Sequence, residues 1–281
     1  GGDLRSGDVV FAAGDELTPA RIGVLASLGV TEVVAHPRPR VGVMSTGDEL
    51  VDGPEPLKPG QIRDSNRPTL LGLVAAAGFE PVDLGRAGDT EDAIVDAVQR
   101  GVTTCDAVLS SGGVSMGDLD LVKVVLDRIG DMRWMQVAIR PAKPFAFGLV
   151  AGPALRREAG GDESLRAVPV FGLPGNPVSS LVSFELFARP ALRRMAGHAP
   201  DRLHRARLAA VAEVDLRRRP DGKTHFVRVS ARVDDAGAIR LRPSGGQGSH
   251  QLASAARADG LAVLVDGDGA AAGDAVPVVL L

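Results

Sequence analysis

The 281-residue sequence predicts an α/β architecture, a mostly parallel sheet with flanking helices, followed by a small all-β barrel-like domain. Three observations carry this. Between residues 40 and 194, short β-rich runs alternate with helix-length segments of periodic apolar spacing, the pattern of βαβ units in a parallel sheet. Three of those runs break into polar loops holding Gly with Ser, Thr or Asn, as connections at the carboxyl ends of parallel strands do. After residue 197 the helical period vanishes, and short segments alternate apolar and polar residues between turns.

Taken in order, Asp8-Val9-Val10-Phe11 reads as a short strand, and Thr18-Pro19 as the N-cap and N1 pair of a helix through Leu28 closed by Gly29. Residues 1–38 hold too little apolar surface to stand alone, and Pro37 and Pro39 mark a boundary. Strand 40–44, helix 68–77, strand 81–84, helix 90–100, strand 106–109 and helix 119–129 follow. Residues 137–145 form a proline-stiffened segment, and 151–166, charged among Gly and Ala, a solvated excursion without assigned function. The run from Val168 leads through the third loop into a helix spaced by Leu181, Val182, Phe184 and Leu186. Strands are then expected at 208–216, 224–233, 238–243, 261–265 and 275–281, with turns at Pro220-Asp221-Gly222 and 234–237. The expected domains are 1–38, 39–197 and 198–281, and no internal repeat is present.

Composition excludes several functions. A net charge of −3 and 3% aromatic residues offer neither a basic field nor stacking platforms for nucleic acid. No apolar run approaches bilayer length, so no membrane partner is expected. Cys105 is the only cysteine, which rules out an intrachain disulfide and thiolate clusters, makes it an expected packing residue, and fits a reducing cytoplasm. No signal peptide is read, and a chain beginning Gly1-Gly2-Asp3 is expected to be a fragment or a processed form. His36, His198, His204, His225 and His250 show no metal-ligand spacing and are expected at surfaces or in satisfied hydrogen bonds. No Ser-His-Asp arrangement or nucleophile elbow is found.

The three loops are Ser45-Thr46-Gly47-Asp48-Glu49, Ser110 through Asp118, and Gly172-Leu173-Pro174-Gly175-Asn176-Pro177. A strand that breaks into glycines and hydroxyls and then opens a helix aims backbone N–H groups at one point, which suits a phosphate or another oxyanion. Candidate ligand contacts are Thr46, Ser111, Gly112, Gly113, Ser115, Gly117, Pro174, Gly175 and Asn176. Carboxylates stand in or near the loops: Glu49, Asp89, Asp118 and Asp120. Acids beside bound phosphates make sense if a hard cation such as Mg²⁺ bridges them. Taken alone, Asp89 and Asp118 read as helix N-caps, leaving Asp120 the acid least easily explained. Arg140 and Lys143 follow on Val137-Ala138-Ile139-Arg140-Pro141-Ala142-Lys143-Pro144-Phe145, where proline narrows their directions.

These motifs, with Asp64-Ser65-Asn66-Arg67 between the first and second loops, occur in an order that closely resembles the MoeA family of molybdopterin molybdotransferases, which includes the E domain of gephyrin. The resemblance runs from Asp3 to Leu281. It implies insertion of molybdate into adenylylated molybdopterin, with release of AMP and use of Mg²⁺. It also implies a homodimer in the full-length protein and a molybdopterin adenylyltransferase as a possible partner. Carried over, the family's functional acids fall on Asp3, Glu49, Asp89 and Asp120, here assigned to metal, and its Arg and Ser of the β domain on Arg228 and Ser249, assigned to cofactor binding. Glu49, Asp89, Asp120, Arg140 and Lys143 are the expected catalytic residues. Two positions depart from the pattern: Gln136 and Arg140 stand where many members carry Lys. Residues 1–38 are expected to be a remnant of the family's elongated N-terminal domain. The alternatives are a molybdopterin adenylyltransferase and a non-catalytic pterin carrier or scaffold.

Overall fold

A computed structural model describes residues 2–114, 121–153 and 165–281. The α/β part is a six-stranded sheet. Its elements are β1 (Arg40–Thr46), α2 (Asn66–Ala76), β2 (Glu80–Ala87), α3 (Glu91–Thr104), β3 (Ala107–Ser111), α4 (Leu121–Ile129), β4 (Gly130–Gln136), β6 (Pro144–Pro153) and β7 (Leu165–Leu173), preceded by α1 (Pro19–Ser27). A two-residue strand, β5 (Ile139–Arg140), lies between β4 and β6 and belongs to the second sheet. The strand order is β2-β1-β3-β7-β6-β4. The first four strands run parallel, while β6 and β4 are antiparallel additions.

Both faces of the central strands are covered, so β1 and β3 are buried almost throughout, whereas the outer strands β4 and β6 alternate. Along β3, Ala107 and Leu109 face a core shared with Leu70 and Val74 of α2. Val108 faces the opposite core, built with Ile94, Ala97 and Val98 of α3 and Val125 and Leu126 of α4. The third loop opens a continuous helical run: α5 (Pro177–Ser183), a π turn (Phe184–Ala188) and α6 (Arg189–Met195). Pro190 explains the π turn. It has no N–H to return to the preceding turn, and the widened turn just before it absorbs the broken ladder.

The second sheet closes on itself. Strands β8 (Arg207–Ala212), β9 (Thr224–Val233), β10 (Ile239–Pro243), β11 (Gly260–Leu264) and β12 (Ala275–Leu280) run in the order β10-β8-β12-β11-β9, and β9 pairs back to β10. A one-turn helix, α7 (Leu252–Ala255), is the sole helix the described barrel residues contain. Val229, Leu241, Ala262 and Val278 fill the interior. A separate apolar seam joins the barrel to α5, with Val178 and Val182 against Phe226, Leu261 and Val263.

Several elements differ from expectation. Asp8–Phe11 forms no strand, and Val9 is 87% exposed. A strand needs a ladder, and this segment lies beside no sheet edge; Phe11 instead packs under the Arg21 guanidinium, 5.6 Å from the ring centre. Helix α2 begins at Asn66, two residues before Pro68, because proline within a first turn forfeits no helical bond. The excursion expected over 151–166 is shorter, since Ala151↔Ala167, Gly152↔Arg166 and Pro153↔Leu165 extend a hairpin ladder. The remainder, 154–164, lies outside the described residues. Among the described residues, no helix is long and apolar enough to cross a membrane.

Caps behave as their chemistry dictates. Thr18 accepts from Arg21 N at the start of α1, and Thr90 from Ala93 N at the start of α3. Thr90→Ala is expected to cost about 1 kcal/mol, read as a lower urea midpoint with an unchanged slope.

At the barrel rim Arg218, its side chain 3% exposed, donates to the Lys223 and Leu264 carbonyls and pairs with Asp221 and Asp266. Burial works against the Asp221 charge, yet hydrogen bonds from Lys223 and His225 and their positive charges hold its pKa at about 2. A carboxylate depressed below its ordinary 3.8 stabilises the fold above that value, and the contribution is lost as pH falls toward 2. We therefore expect unfolding midpoints to fall between about pH 4 and pH 2, with a shallower decline in Asp221→Asn.

Candidate functional site

The chain leaves β1 for β2 on one side, then returns to place β3 on the other. That reversal opens a crevice above the carboxyl ends of β1 and β3, the position where open α/β sheets hold ligands. Neighbouring strand ends deliver the candidate residues to this edge: Glu49 after β1, Asp89 after β2, Ser111–Gly113 from β3, and Pro174–Asn176 after β7.

Several of them touch. Gly112 has φ +97°, and a Cβ there would stand 2.9 Å from Thr46 Oγ1 and 3.1 Å from its carbonyl. Glycine is required by both the backbone and the space. Gly112 N donates to the Leu173 carbonyl at 3.0 Å. The Asn66 side-chain amide, at the start of α2, donates to Ser111 Oγ at 2.8 Å and to the Gly175 carbonyl at 2.6 Å. Buried polar atoms without a protein partner remain nearby, Asn66 Oδ1 and Ser110 Oγ among them. Thr46, Ser111, Gly112 and Gly175 are thus one cluster, reached from three strands.

The acids divide. Gly47, with φ +137°, leaves room for the Glu49 carboxylate to fold over the end of β1, and a Cβ there would meet Glu49 Cδ at 2.8 Å. Asp89 is not the cap of α3, a role Thr90 takes. Its Oδ2 accepts from Asp48 N at 3.0 Å, and Asp48 Oδ1 accepts from Asp89 N at 3.1 Å, which staples the β1 and β2 loops together. Asp3 is exposed, in an irregular segment. Residues 11–17 after it dock beside Ala77, Phe79 and Gly197, at the far ends of α2 and α6. Among the described residues no three His, Cys, Asp or Glu side chains form a group able to hold an ion, so Asp3, Glu49 and Asp89 do not gather into one. Ser115, Gly117, Asp118 and Asp120 lie outside the described residues.

The donor chemistry nevertheless fits Mg²⁺, which commonly takes one or two carboxylates and completes its shell with substrate phosphates and water. Glu49, cradled where Gly47 lacks a side chain, and Asp89 on the neighbouring strand end are hard oxygen donors of that kind.

The basic segment is gripped by the barrel. Arg140-Pro141 is a cis peptide and Ala142 has φ +75°. Val137 N donates to the Lys143 carbonyl at 2.7 Å, closing the loop. Strand β5 pairs with β9, Ile139 opposite Thr224 and Arg140 opposite His225. Arg140 and Lys143 both remain exposed. The barrel also meets the third loop: Ser249 O accepts from Val178 N at 3.0 Å, so that N–H of α5 is not left for a ligand. Arg228 is 1% exposed. Its Nε donates to Ser254 Oγ, and its Nη2 to the Gly246 and Gly248 carbonyls at 2.6 and 3.1 Å. Burial pulls its pKa below the ordinary arginine value. In this geometry Arg228 holds the loop that presents Ser249.

Sequence reasoning assigned no role to Asp64, Asn66 or Arg67. The Asp64 carboxylate accepts from Ser45 Oγ at 2.5 Å and from Asn66 N and Arg67 N at 3.1 Å. Arg67 in turn binds Asp64, Asp83 and Asp52. Burial opposes the Arg67 charge, but these carboxylates hold its pKa above the usual arginine value. The available signal was the polar run 64–67 directly before an apolar helix. Cys105 is fully buried and burial pushes its thiol pKa up, consistent with packing.

Comparison with known proteins follows the same division. Residues 42–194 match the family model described as a probable molybdopterin binding domain, and residues 209–281 the one described as the MoeA C-terminal region, domain IV. A molybdopterin molybdenumtransferase of Haemophilus influenzae is 36% identical over 264 residues, covering 94% of this chain and 61% of that protein. Molybdopterin molybdenumtransferase 2 of Mycobacterium tuberculosis is 38% identical over 267 residues, covering 93% and 61%. The crystal structure of the molybdopterin biosynthesis MoeA protein of Pyrococcus horikoshii OT3 superposes with a TM-score of 0.72 at 26% identity, covering 99% of this chain and 63% of that one. The chain therefore spans about three fifths of the length of the curated relatives it matches.

Proposed function

Since the chain belongs to the MoeA family, we propose that the crevice at the β1–β3 reversal binds adenylylated molybdopterin and serves the insertion of molybdate with release of AMP. The observation that carries this reading is the meeting of Thr46, Ser111, Gly112 and Gly175 at one strand-end crevice, with a barrel loop seated beside the third strand's exit. Gly112 and Gly175 let the backbone approach a phosphate closely, while Ser111 and Thr46 offer hydroxyls. Glu49 and Asp89 would hold Mg²⁺, which when bound neutralises phosphate charge. Arg140, held by the pairing of β5 with β9, and Lys143, whose carbonyl accepts from Val137 N, stabilise oxyanion charge developing at the cleaved phosphoanhydride and orient molybdate. The dithiolate sulfurs come from the pterin, so a chain with a single cysteine is no obstacle.

The barrel and its family match support this reading over an adenylyltransferase. Incubation with adenylylated molybdopterin, molybdate and Mg²⁺ is expected to release AMP. Lys143→Ala is expected to slow release roughly tenfold or more while leaving the melting temperature unchanged, since the side chain is exposed. Absence of nucleotide binding by the wild-type chain overturns the reading. Tight binding without release would favour the non-catalytic carrier.

A further inference from the structure

We propose that Asn66 is a positioning residue of this crevice: its side-chain amide ties the loop after β3 to the loop after β7 and sets the gap between them. The inference rests on the functional reading above and adds a residue to it. The β3–β7 ladder ends at Ser111 opposite Leu173. Past that point Gly112 N still reaches the Leu173 carbonyl, and beyond it the Asn66 amide joins the two loops. Both of its N–H groups are used, one on Ser111 Oγ at 2.8 Å and one on Gly175 O at 2.6 Å. The Gly175 carbonyl can only accept, so the NH₂ must face it, and neither Asp nor a shorter hydroxyl residue would reproduce both bonds.

The anchor is itself rigid. Asn66 N donates to Asp64 Oδ1 at 3.1 Å, and the Asp64 side chain, 1% exposed, is held by Ser45 Oγ and Arg67 Nε. A side chain fixed to β1 and α2 thus sets the distance between loops from β3 and β7, the kind of support a binding constellation needs.

Asn66→Asp keeps the shape and adds an acid, which is favourable at a helix start, but replaces the donor with an acceptor against Gly175 O. Asn66→Ser removes the bridge without adding charge, which separates loss of the clamp from repulsion of an anionic ligand. Both variants are expected to speed amide hydrogen exchange at 111–114 and at Gly175 and Asn176 in the free protein, with exchange in β1 and the last turns of α2 unchanged. Both are also expected to raise the Kd for adenylylated molybdopterin about tenfold or more. Wild-type exchange at both loops, or a wild-type Kd in either variant, overturns the proposal. The exchange measurement needs no ligand, so it tests the clamp even if the wild-type chain fails to bind the pterin nucleotide, a failure that would instead strike the functional reading.

Discussion

Arg67→Met is expected to lower the stability of the chain by about 3 kcal/mol, the cost of leaving a buried carboxylate without its cation. Asp64 carries most of this loss, because its side chain is 1% exposed, whereas Asp83 and Asp52 are 49% and 56% exposed and water can solvate them once Arg67 is gone. The measurement is a urea unfolding curve at neutral pH, and a midpoint within error of wild type would show that Asp64 does not depend on Arg67. Adding Asp64→Asn removes the stranded charge, so the double variant is expected to be less destabilised than the sum of the two single changes. Because Asp64 also receives the first N–H groups of α2, the single variant should loosen the start of that helix, where Asn66 stands.

Gly112→Ala is expected to weaken binding of adenylylated molybdopterin on the order of 100-fold, a loss typical of displacing a binding group by about an ångström. Two separate penalties act at this position. The backbone has φ +97°, where an L side chain is strained, and the new methyl would stand 2.9 Å from Thr46 Oγ1. Thr46 and the Gly112 loop must then part, which widens the crevice between β1 and β3. The sheet beneath is unaffected, since β3 is held along its length by β1 and β7. Calorimetric titration with the nucleotide, alongside a melting curve, separates the two effects. A variant that binds as tightly as wild type would remove Gly112 from the site.

How much of the fold and of the site is legible in the sequence depends on the range of the interaction. Thr18 and Thr90 were legible or nearly so, because a cap acts on an N–H three residues away. The loops at Thr46, Ser111 and Gly175 were legible for a related reason: glycine and hydroxyls at a strand end mark a local conformation. Taken alone Asp89 reads as a cap, a role that Thr90 fills; its observed partner, Asp48, is 41 residues distant. The strand expected at 8–11 had the right residue types but no edge to pair with.

Residue order on its own established the alternation of strands and helices, the change to period-two segments after residue 197, and the polar loops, since each is written in spacings of two to four residues. Tertiary packing alone settled that Asn66 bridges residues 45 and 109 positions away, that Ile139–Arg140 leaves its own sheet to pair with a barrel strand, and that Arg228 is buried holding a loop. Those contacts depend on how long loops close and which strand lies beside which, and local periodicity carries no record of that choice.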